Sequence, residues 1–201
     1  MFTGIVQSIG NIENIDKENN IFSIKTNLSL IDCKIGSSIC CDGVCLTVLK
    51  ISKQNSNYLF DVNVGEETIN RTNLIHWIKG SKINLEKSLK VGDEISGHFV
   101  YGHVDLTLAL KKINKLKNSW EFNFDFNTSD NLQIKKFIVQ KGSVSINGIS
   151  LTIANIFEDY FSVSIIPHTF ENTNLHLLKE KNRVNIEFDP LARYISKIYE
   201  I

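Results

Sequence analysis

The chain repeats its own pattern, and this duplication constrains the fold more than any other feature of the sequence. Residues Asp42–Val48 read DGVCLTV, and Asn147–Ile153 read NGISLTI 105 positions later. Four further pairs of blocks recur in the same order, namely Ser38-Ile39 with Ser143-Val144, Thr68–Leu74 with Thr169–Leu175, Ile83–Glu86 with Val184–Glu187, and Thr3–Gln7 with Tyr101–Asp105. A tandem duplication predicts two halves that fold alike, with a boundary near Ser96-Gly97.

Both halves have the local sequence of β-strands. Ile21–Thr26 and Phe161–Ile166 carry β-branched and aromatic residues, and Trp120–Phe126 alternates apolar with polar residues. Asp42-Gly43 and Asn147-Gly148 predict type I′ hairpin turns, which need a positive φ at both central residues. Short strands at this spacing, in units of about 95 residues, predict a mainly β fold of two tandem six-stranded Greek-key β-barrels.

Short helices are expected in three places. Ser129–Lys141, before Gly142, has the pattern of one helix, and Leu30–Ile35 is its shorter counterpart. Asp189 is a good N-cap for a C-terminal helix with Pro190 at its first position. The predicted divisions are therefore a first barrel over 1–97, a second over 98–188 and an oligomerisation helix over 189–201.

The C-terminal helix has an apolar stripe that must be covered by something, because a helix of about 11 residues is marginal alone. The stripe contains Leu191, Tyr194, Ile195, Ile198 and Ile201. The sequence leaves two alternatives open, which are packing on its own barrel and contact with another subunit.

Composition excludes several classes of function. The 201 residues contain 22 Lys+Arg and 22 Asp+Glu, so the formal net charge is zero and no general attraction to nucleic acid or anionic membranes is expected. No apolar run approaches the roughly 20 residues of a membrane-spanning helix. Met1–Val6 has no basic start followed by a long apolar stretch, unlike a secretory signal. These features predict a cytoplasmic protein with neither a nucleic-acid nor a membrane partner.

All four cysteines lie within 13 residues, at Cys33, Cys40, Cys41 and Cys45. Their spacing fits no zinc pattern, and the nearest histidine in the sequence is His76. Disulfides are not expected in the cytosol. The sequence therefore predicts free thiols in apolar positions and no metal.

In combination, the motifs resemble the riboflavin synthase family of two-barrel trimeric enzymes. The resemblance covers the whole chain and rests on Met1–Val6, the two Gly-(Val/Ile)-(Cys/Ser)-Leu-Thr copies, and two Gly-His pairs, Gly97-His98 and Gly102-His103. It implies that two molecules of 6,7-dimethyl-8-ribityllumazine give riboflavin and 5-amino-6-(D-ribitylamino)uracil by transfer of a four-carbon unit, without a metal or external cofactor. It also implies a homotrimer whose active site holds two lumazines between the first barrel of one subunit and the second barrel of another.

The resemblance assigns one set of binding residues to each barrel. The first barrel would use Gly4, Ile5, Val6, Cys45, Leu46, Thr47, Asn63, Val64, Gly65, Glu66, Glu67 and Thr68. The second would use Gly102, His103, Val104, Lys141, Ser150, Leu151, Thr152, Ser164, Ile165, Ile166, Pro167, His168 and Thr169. Residues i and i+2 share a face of a strand, so Cys45 with Thr47, and Ser150 with Thr152, each place two polar groups on one face.

Candidate catalytic residues are His103, Ser150, Cys45, Asp189 and His98. Histidine suits proton transfer at neutral pH, and Ser150 or Cys45 could add to a ring or position water. His98 is equally compatible with a structural role, and Asp189 with a purely capping one. The loop before each Thr-Asn-Leu block usually reads Pro-Glu-Thr in this family, whereas this chain has Glu66-Glu67-Thr68 and Pro167-His168-Thr169.

Two other classes of function remain as alternatives. A lumazine- or flavin-binding carrier would share the fold without turnover, but needs only one good pocket. An oligonucleotide-binding barrel would need a basic face with exposed aromatic residues, and the basic residues here are scattered among acids.

Overall fold

A computed structural model of the chain describes residues 1–126 and 131–199, and it confirms two closed six-stranded antiparallel barrels. The first barrel has the strand order β1-β2-β5-β4-β3-β6, and β6 pairs with β1 to close it. The second barrel has the equivalent order β7-β8-β11-β10-β9-β12, and β12 pairs with β7 to close it. The strands of the first barrel are β1 Ser8–Asp16, β2 Ile21–Thr26, β3 Ser38–Cys41, β4 Val44–Gln54, β5 Asn57–Asn63 and β6 Lys82–Lys87. Those of the second are β7 Leu106–Lys115, β8 Trp120–Asp125, β9 Ser143–Ile146, β10 Ile149–Ile156, β11 Tyr160–Ile165 and β12 Arg183–Phe188.

Each barrel encloses its own apolar core. The first is built around Phe22, Ile24 and Phe60, and the second around Phe122 and Phe161, all at most 5% exposed. These residues alternate with outward-facing ones along their strands, as period-two patterning requires. The described helices are α1 Glu66–Arg71, α2 Asn131–Phe137, α3 Pro167–Asn172 and α4 Pro190–Tyr199, with 3₁₀ turns at Asn73–His76 and Asn174–Leu177.

The tight turns form as expected from their sequences. Asp42 and Gly43 have φ values of 47° and 82°, and Asn147 and Gly148 have 46° and 77°. These positive values confirm the type I′ assignment. The two turns touch each other, since a Cβ built on Gly43 would lie 2.7 Å from the Gly148 nitrogen. Glycine at these positions therefore also allows the two barrels to approach closely.

Two of the predicted helices are wrong in whole or in part. Leu30–Ile35 forms turns instead, because Leu30 is buried in the first core while Ile31 and Ile35 point into solvent. In the Ser129–Lys141 segment, helix α2 ends at Phe137, and Ser129 lies outside the described residues. Lys141 instead takes a positive φ and donates its backbone N–H to the Ile153 carbonyl on β10, so the sheet edge competes with the helix there.

The barrels meet through a buried network of asparagine side chains that is repeated in both halves. The backbone N–H of Asn73 donates to Asn185 Oδ1, and the backbone N–H of Asn174 donates to Asn84 Oδ1, both at 2.7 Å. The side-chain amides return these bonds, from Asn185 Nδ2 to Asn73 Oδ1 at 2.8 Å and from Asn84 Nδ2 to Asn174 Oδ1 at 2.9 Å. Satisfied buried polar groups of this kind fix one relative arrangement of the two barrels.

The C-terminal helix begins as its sequence predicts, with Asp189 Oδ1 accepting from the Leu191 amide at 2.9 Å. The described members of its apolar stripe, Leu191, Tyr194, Ile195 and Ile198, are between 54% and 74% exposed. The stripe therefore does not pack on its own barrel, which removes one of the two alternatives for those residues. Ile201 lies outside the described residues. No helix in the described ranges is long and apolar enough to cross a membrane.

Candidate active site

Two segments cross between the barrels, residues 4–6 before β1 and residues 97–104 before β7. Residues 4–6 lead into the first barrel but contact the site of the second, and residues 97–104 lead into the second barrel but contact the site of the first through residues 102–104. The Gly4 carbonyl accepts from the Ser150 amide at 2.8 Å, and the Gly102 carbonyl accepts from the Cys45 amide at 2.9 Å. Val6 packs on the second core and Val104 on the first. The resemblance grouped residues 4–6 with the first site and residues 102–104 with the second, whereas these contacts place each segment beside the opposite barrel.

The strand edges explain this exchange. The β4–β5 ladder begins only at Val48, and the β10–β11 ladder begins only at Ile153. The amides of Cys45 and Ser150 therefore lie on open edges and bond to the crossing segments. Glycine is required at the contacts, because Gly4 and Gly102 have φ values of 76° and 78° and a Cβ on either would lie within 2.6 Å of the facing residue.

The first-barrel site contains a cavity of about 180 Å³. Cys45 and Thr68 line it together with Gly102, His103 and Val104 from the crossing segment. Cys45 is half-buried and Thr47 is exposed, so the polar pair lies on the outer face of β4, as the alternation indicated.

The other residues expected near this site have mixed positions. Leu46 and Val64 point into the core, and Asn63 Nδ2 donates to the Asn19 carbonyl at 2.7 Å. Gly65 caps α1, and Glu66 and Glu67 occupy its first turn. Side-chain recognition in this part of the site is therefore left mainly to Glu67 and Thr68, both of which line the cavity.

In the second barrel, Ser150 and His98 form a close pair. Ser150 Oγ lies 2.7 Å from His98 Nδ1, and among the described residues the buried Nε2 has no hydrogen-bond partner. Burial lowers the pKa of His98, and the Asp189 carboxylate acts against this shift. Burial therefore favours the neutral imidazole of His98, whose Nδ1 shares a hydrogen bond with the Ser150 hydroxyl.

The remaining residues expected in the second site divide between core and surface. Leu151 and Ile165 belong to the core, whereas Ile5, Thr152, Ser164 and Ile166 are exposed. Lys141 is exposed at the turn before β9. Pro167, His168 and Thr169 begin α3, which follows β11 as α1 follows β5.

The loop that departs from the family pattern has a matching change four residues later. Glu67 pairs with Arg71 at 3.1 Å in α1. At the equivalent positions of α3, Asn172 Nδ2 lies 3.5 Å from His168 Nδ1 and donates to the His168 carbonyl at 2.8 Å. A salt bridge at the first site is thus replaced by a histidine–asparagine contact at the second.

Sequence reasoning missed two buried glutamates that hold the crossing segments. Glu86 accepts from the Thr3 amide at 2.7 Å, the Thr3 hydroxyl at 2.8 Å and the Gly4 amide at 3.0 Å. Glu187 accepts from the amides of residues 101, 102 and 103 at 2.7, 2.8 and 3.1 Å. Burial raises the pKa of both carboxyls, while the amide donors oppose that shift. The sequence signal that could have identified these glutamates is their equivalent position at the end of the repeated blocks Ile83–Glu86 and Val184–Glu187.

The crossing segment 97–104 also links the two sites. His98 lies at its Ser150 end and His103 at its Cys45 end. Between them, Phe2 and Val100, both fully buried, exchange backbone hydrogen bonds at 2.7 and 3.1 Å. Within one chain, this buried pair therefore lies between the two sites.

Comparisons with known proteins agree with this architecture. The lumazine binding domain family matches residues 3–88 and 101–189. Riboflavin synthase of Photobacterium leiognathi is 38% identical over all of this chain and 90% of its own length, and that of Brucella abortus (strain 2308) is 38% identical over 98% of each chain. The crystal structure of LumP complexed with riboflavin is 25% identical, with a TM-score of 0.78, covering 94% of this chain and 99% of LumP.

Proposed function

This chain belongs to the lumazine-binding domain family, and we propose that it acts within that family as a riboflavin synthase. It converts two molecules of 6,7-dimethyl-8-ribityllumazine into riboflavin and 5-amino-6-(D-ribitylamino)uracil, the last step of riboflavin biosynthesis. Relatives matched over the full chain at 36–38% identity carry this name. The observation that carries the proposal is that each barrel has an equivalent site completed by an equivalent crossing segment, as a reaction between two copies of one molecule requires.

We assign one lumazine to each of these sites. In the first, Cys45, Thr47, Thr68 and the 102–104 segment would contact the ring and ribityl chain. In the second, the 4–6 segment, Ser150, Thr152, Lys141 and residues 164–169 take the equivalent positions. Hydroxyls and backbone amides suit an uncharged polyol and a pyrimidine edge.

The second site supplies the stronger acid–base apparatus. Neutral His98 accepts the proton of Ser150, so the serine oxygen can add to a ring or activate a water molecule. Asp189 stabilises the imidazolium that forms, because its charge acts on that imidazole. His103 and Cys45 provide a second proton carrier and a thiol at the first site. These groups must remove a proton from the acidic C7 methyl group of a bound lumazine.

Direct contact between two lumazine rings needs two subunits. The Phe2–Val100 pair lies between the sites of one chain, whereas ring-to-ring bond formation needs atoms about 3–3.5 Å apart. We therefore assign the complete active site to the first barrel of one subunit and the second barrel of another, in a homotrimer joined through the exposed stripe of α4. The protein is assigned to the cytoplasm.

A non-catalytic carrier is the second candidate, favoured by the likeness to LumP complexed with riboflavin. A single pocket suffices for a carrier, whereas here both sites keep their polar strand pair and crossing segment. Incubation of the purified protein with 6,7-dimethyl-8-ribityllumazine separates the two functions. The synthase produces riboflavin, and Ser150→Ala lowers its kcat while lumazine remains bound. A protein that retains lumazine and yields no riboflavin would be the carrier.

A further inference from the structure

A second kind of cavity, of about 530 Å³, lies between the two barrels. Its lining comes from equivalent positions of both halves, including Asp42 with Asn147 and Lys82 with Arg183. None of its lining residues belongs to either lumazine site. Its volume falls within the usual range of small-molecule sites, about 300–1,000 Å³.

The floor of this cavity is a fixed polar surface. Asp42 Oδ1 accepts from the Asn84 amide at 2.7 Å and from Asn174 Nδ2 at 2.9 Å. Asn147 Oδ1 accepts from the Asn185 amide at 2.8 Å and from Asn73 Nδ2 at 3.2 Å. Because these residues belong to the buried asparagine network, the floor is formed before any ligand arrives.

The walls carry positive charge that the rest of the cavity does not balance. Lys82, Lys181 and Arg183 line it, and Asp42 is the only acid among the described lining residues. Burial raises the pKa of Asp42 to about 8, so that acid is mostly neutral at pH 7. Within the described ranges neither lysine forms an ion pair. A chain with zero net charge therefore concentrates three cations at one cavity.

Arg183 is held in place, and apolar surface lies nearby. Its Nε donates to Thr107 Oγ1 at 2.9 Å and its Nη2 to the Thr107 carbonyl at 2.6 Å, which orients the guanidinium. Leu177 and Leu178 form an apolar part of the wall. An oriented arginine with two lysines beside it suits a phosphate group, and the leucines suit the organic part of the same ligand.

We propose that this inter-barrel cavity binds an organic phosphate of nucleotide-monophosphate size. Lys82, Lys181 and Arg183 contact the phosphate, and Leu177 and Leu178 contact the remainder of the ligand. This site is separate from the lumazine sites, whose ligand carries no phosphate.

Calorimetric titration of the full-length protein at pH 7 and low salt tests this proposal, with AMP as the probe and adenosine and inorganic phosphate as comparison ligands. AMP is expected to bind more tightly than either. The double variant Lys82→Gln/Lys181→Gln should weaken AMP binding by about tenfold or more, since hydrogen bonds to charged groups are lost. The matched control Lys79→Gln/Lys179→Gln removes the same charge from exposed positions outside the cavity and should change the affinity less than twofold.

Riboflavin formation should be unchanged in both double variants, which keeps this test independent of the proposed enzymatic function. Equal weakening in the two double variants would show nonspecific attraction to lysines and overturn the proposal. Absence of AMP binding, or adenosine or phosphate binding as tightly as AMP, would also overturn it.

Discussion

Replacing Asp42 with asparagine should stabilise the protein, and the gain should depend on pH. Asp42 is 3% exposed, and burial raises its pKa from 3.8 to about 8. The unfolded chain therefore loses this proton near pH 4, while the folded chain retains it until about pH 8. Stability from this group is fully present below pH 3.8 and is lost as the pH rises through 8. Each pH unit in this window costs about 1.4 kcal/mol, which accumulates to about 4 kcal/mol at pH 7.

The equivalent position of the second half shows that an amide fits this site. Asn147 accepts from a strand amide and an asparagine side chain, as Asp42 does. One difference is that Trp77 also donates to Asp42, whereas Leu178 occupies the place of Trp77 in the second half. Loss of that bond subtracts about 1 kcal/mol from the gain at every pH. The pH dependence of the gain is therefore the diagnostic quantity.

Urea unfolding of wild type and Asp42→Asn from pH 5 to 9 measures this difference. The free-energy gap should widen by about 1.4 kcal/mol per pH unit up to pH 8 and then remain constant. Asn147→Asp is the matched control and should lose stability relative to wild type as the pH rises. A gap between wild type and Asp42→Asn that does not change with pH would refute the assignment of a buried, protonated Asp42.

Three further predictions concern the proposed active site. Glu187→Gln should loosen the 101–103 segment and reduce lumazine binding from two sites per chain toward one by weakening the first-barrel site, measured by equilibrium dialysis. Glu86→Gln should weaken the second-barrel site instead. Equal loss of both sites in either variant would contradict the assignment of each crossing segment to the opposite barrel. His98→Gln should lower kcat about 10²- to 10⁴-fold with a smaller change in KM. Because burial lowers the pKa of His98, the wild-type rate should fall only below the usual pH range of histidine, and a profile unchanged in the variant would exclude it as the base. Truncation after Asp189 should lower the oligomer mass in light scattering, and unchanged mass and activity would show that α4 is not the subunit contact.

The sequence predicted those features that depend on local pattern or on the duplication. The repeated Asp42-Gly43 and Asn147-Gly148 pairs indicated tight turns, and the alternation of Trp120–Phe126 indicated a strand. Asp189 and Pro190 marked the start of the C-terminal helix. Each of these depends on backbone preferences of a few neighbouring residues, so no tertiary information was needed.

The arrangement of the site could not be predicted in the same way. The resemblance grouped Gly4 with the first barrel, but its carbonyl accepts from the Ser150 backbone N–H of the second, because the open strand edge there lacks a partner. Glu86 and Glu187 gained their roles only through donors more than 80 residues away. Leu30–Ile35 forms turns rather than a helix, and its apolar residues are divided between the core, where Leu30 is buried, and solvent, where Ile31 and Ile35 are exposed.

The mass balance of the reaction is the most direct test of the proposed synthase activity. Purified protein is incubated with 6,7-dimethyl-8-ribityllumazine, without added cofactor, and substrate and both products are quantified by chromatography and absorbance. The proposed reaction gives one riboflavin and one 5-amino-6-(D-ribitylamino)uracil for every two lumazines consumed. Lumazine that stays bound and unchanged, or is consumed in any other ratio to riboflavin, would contradict it.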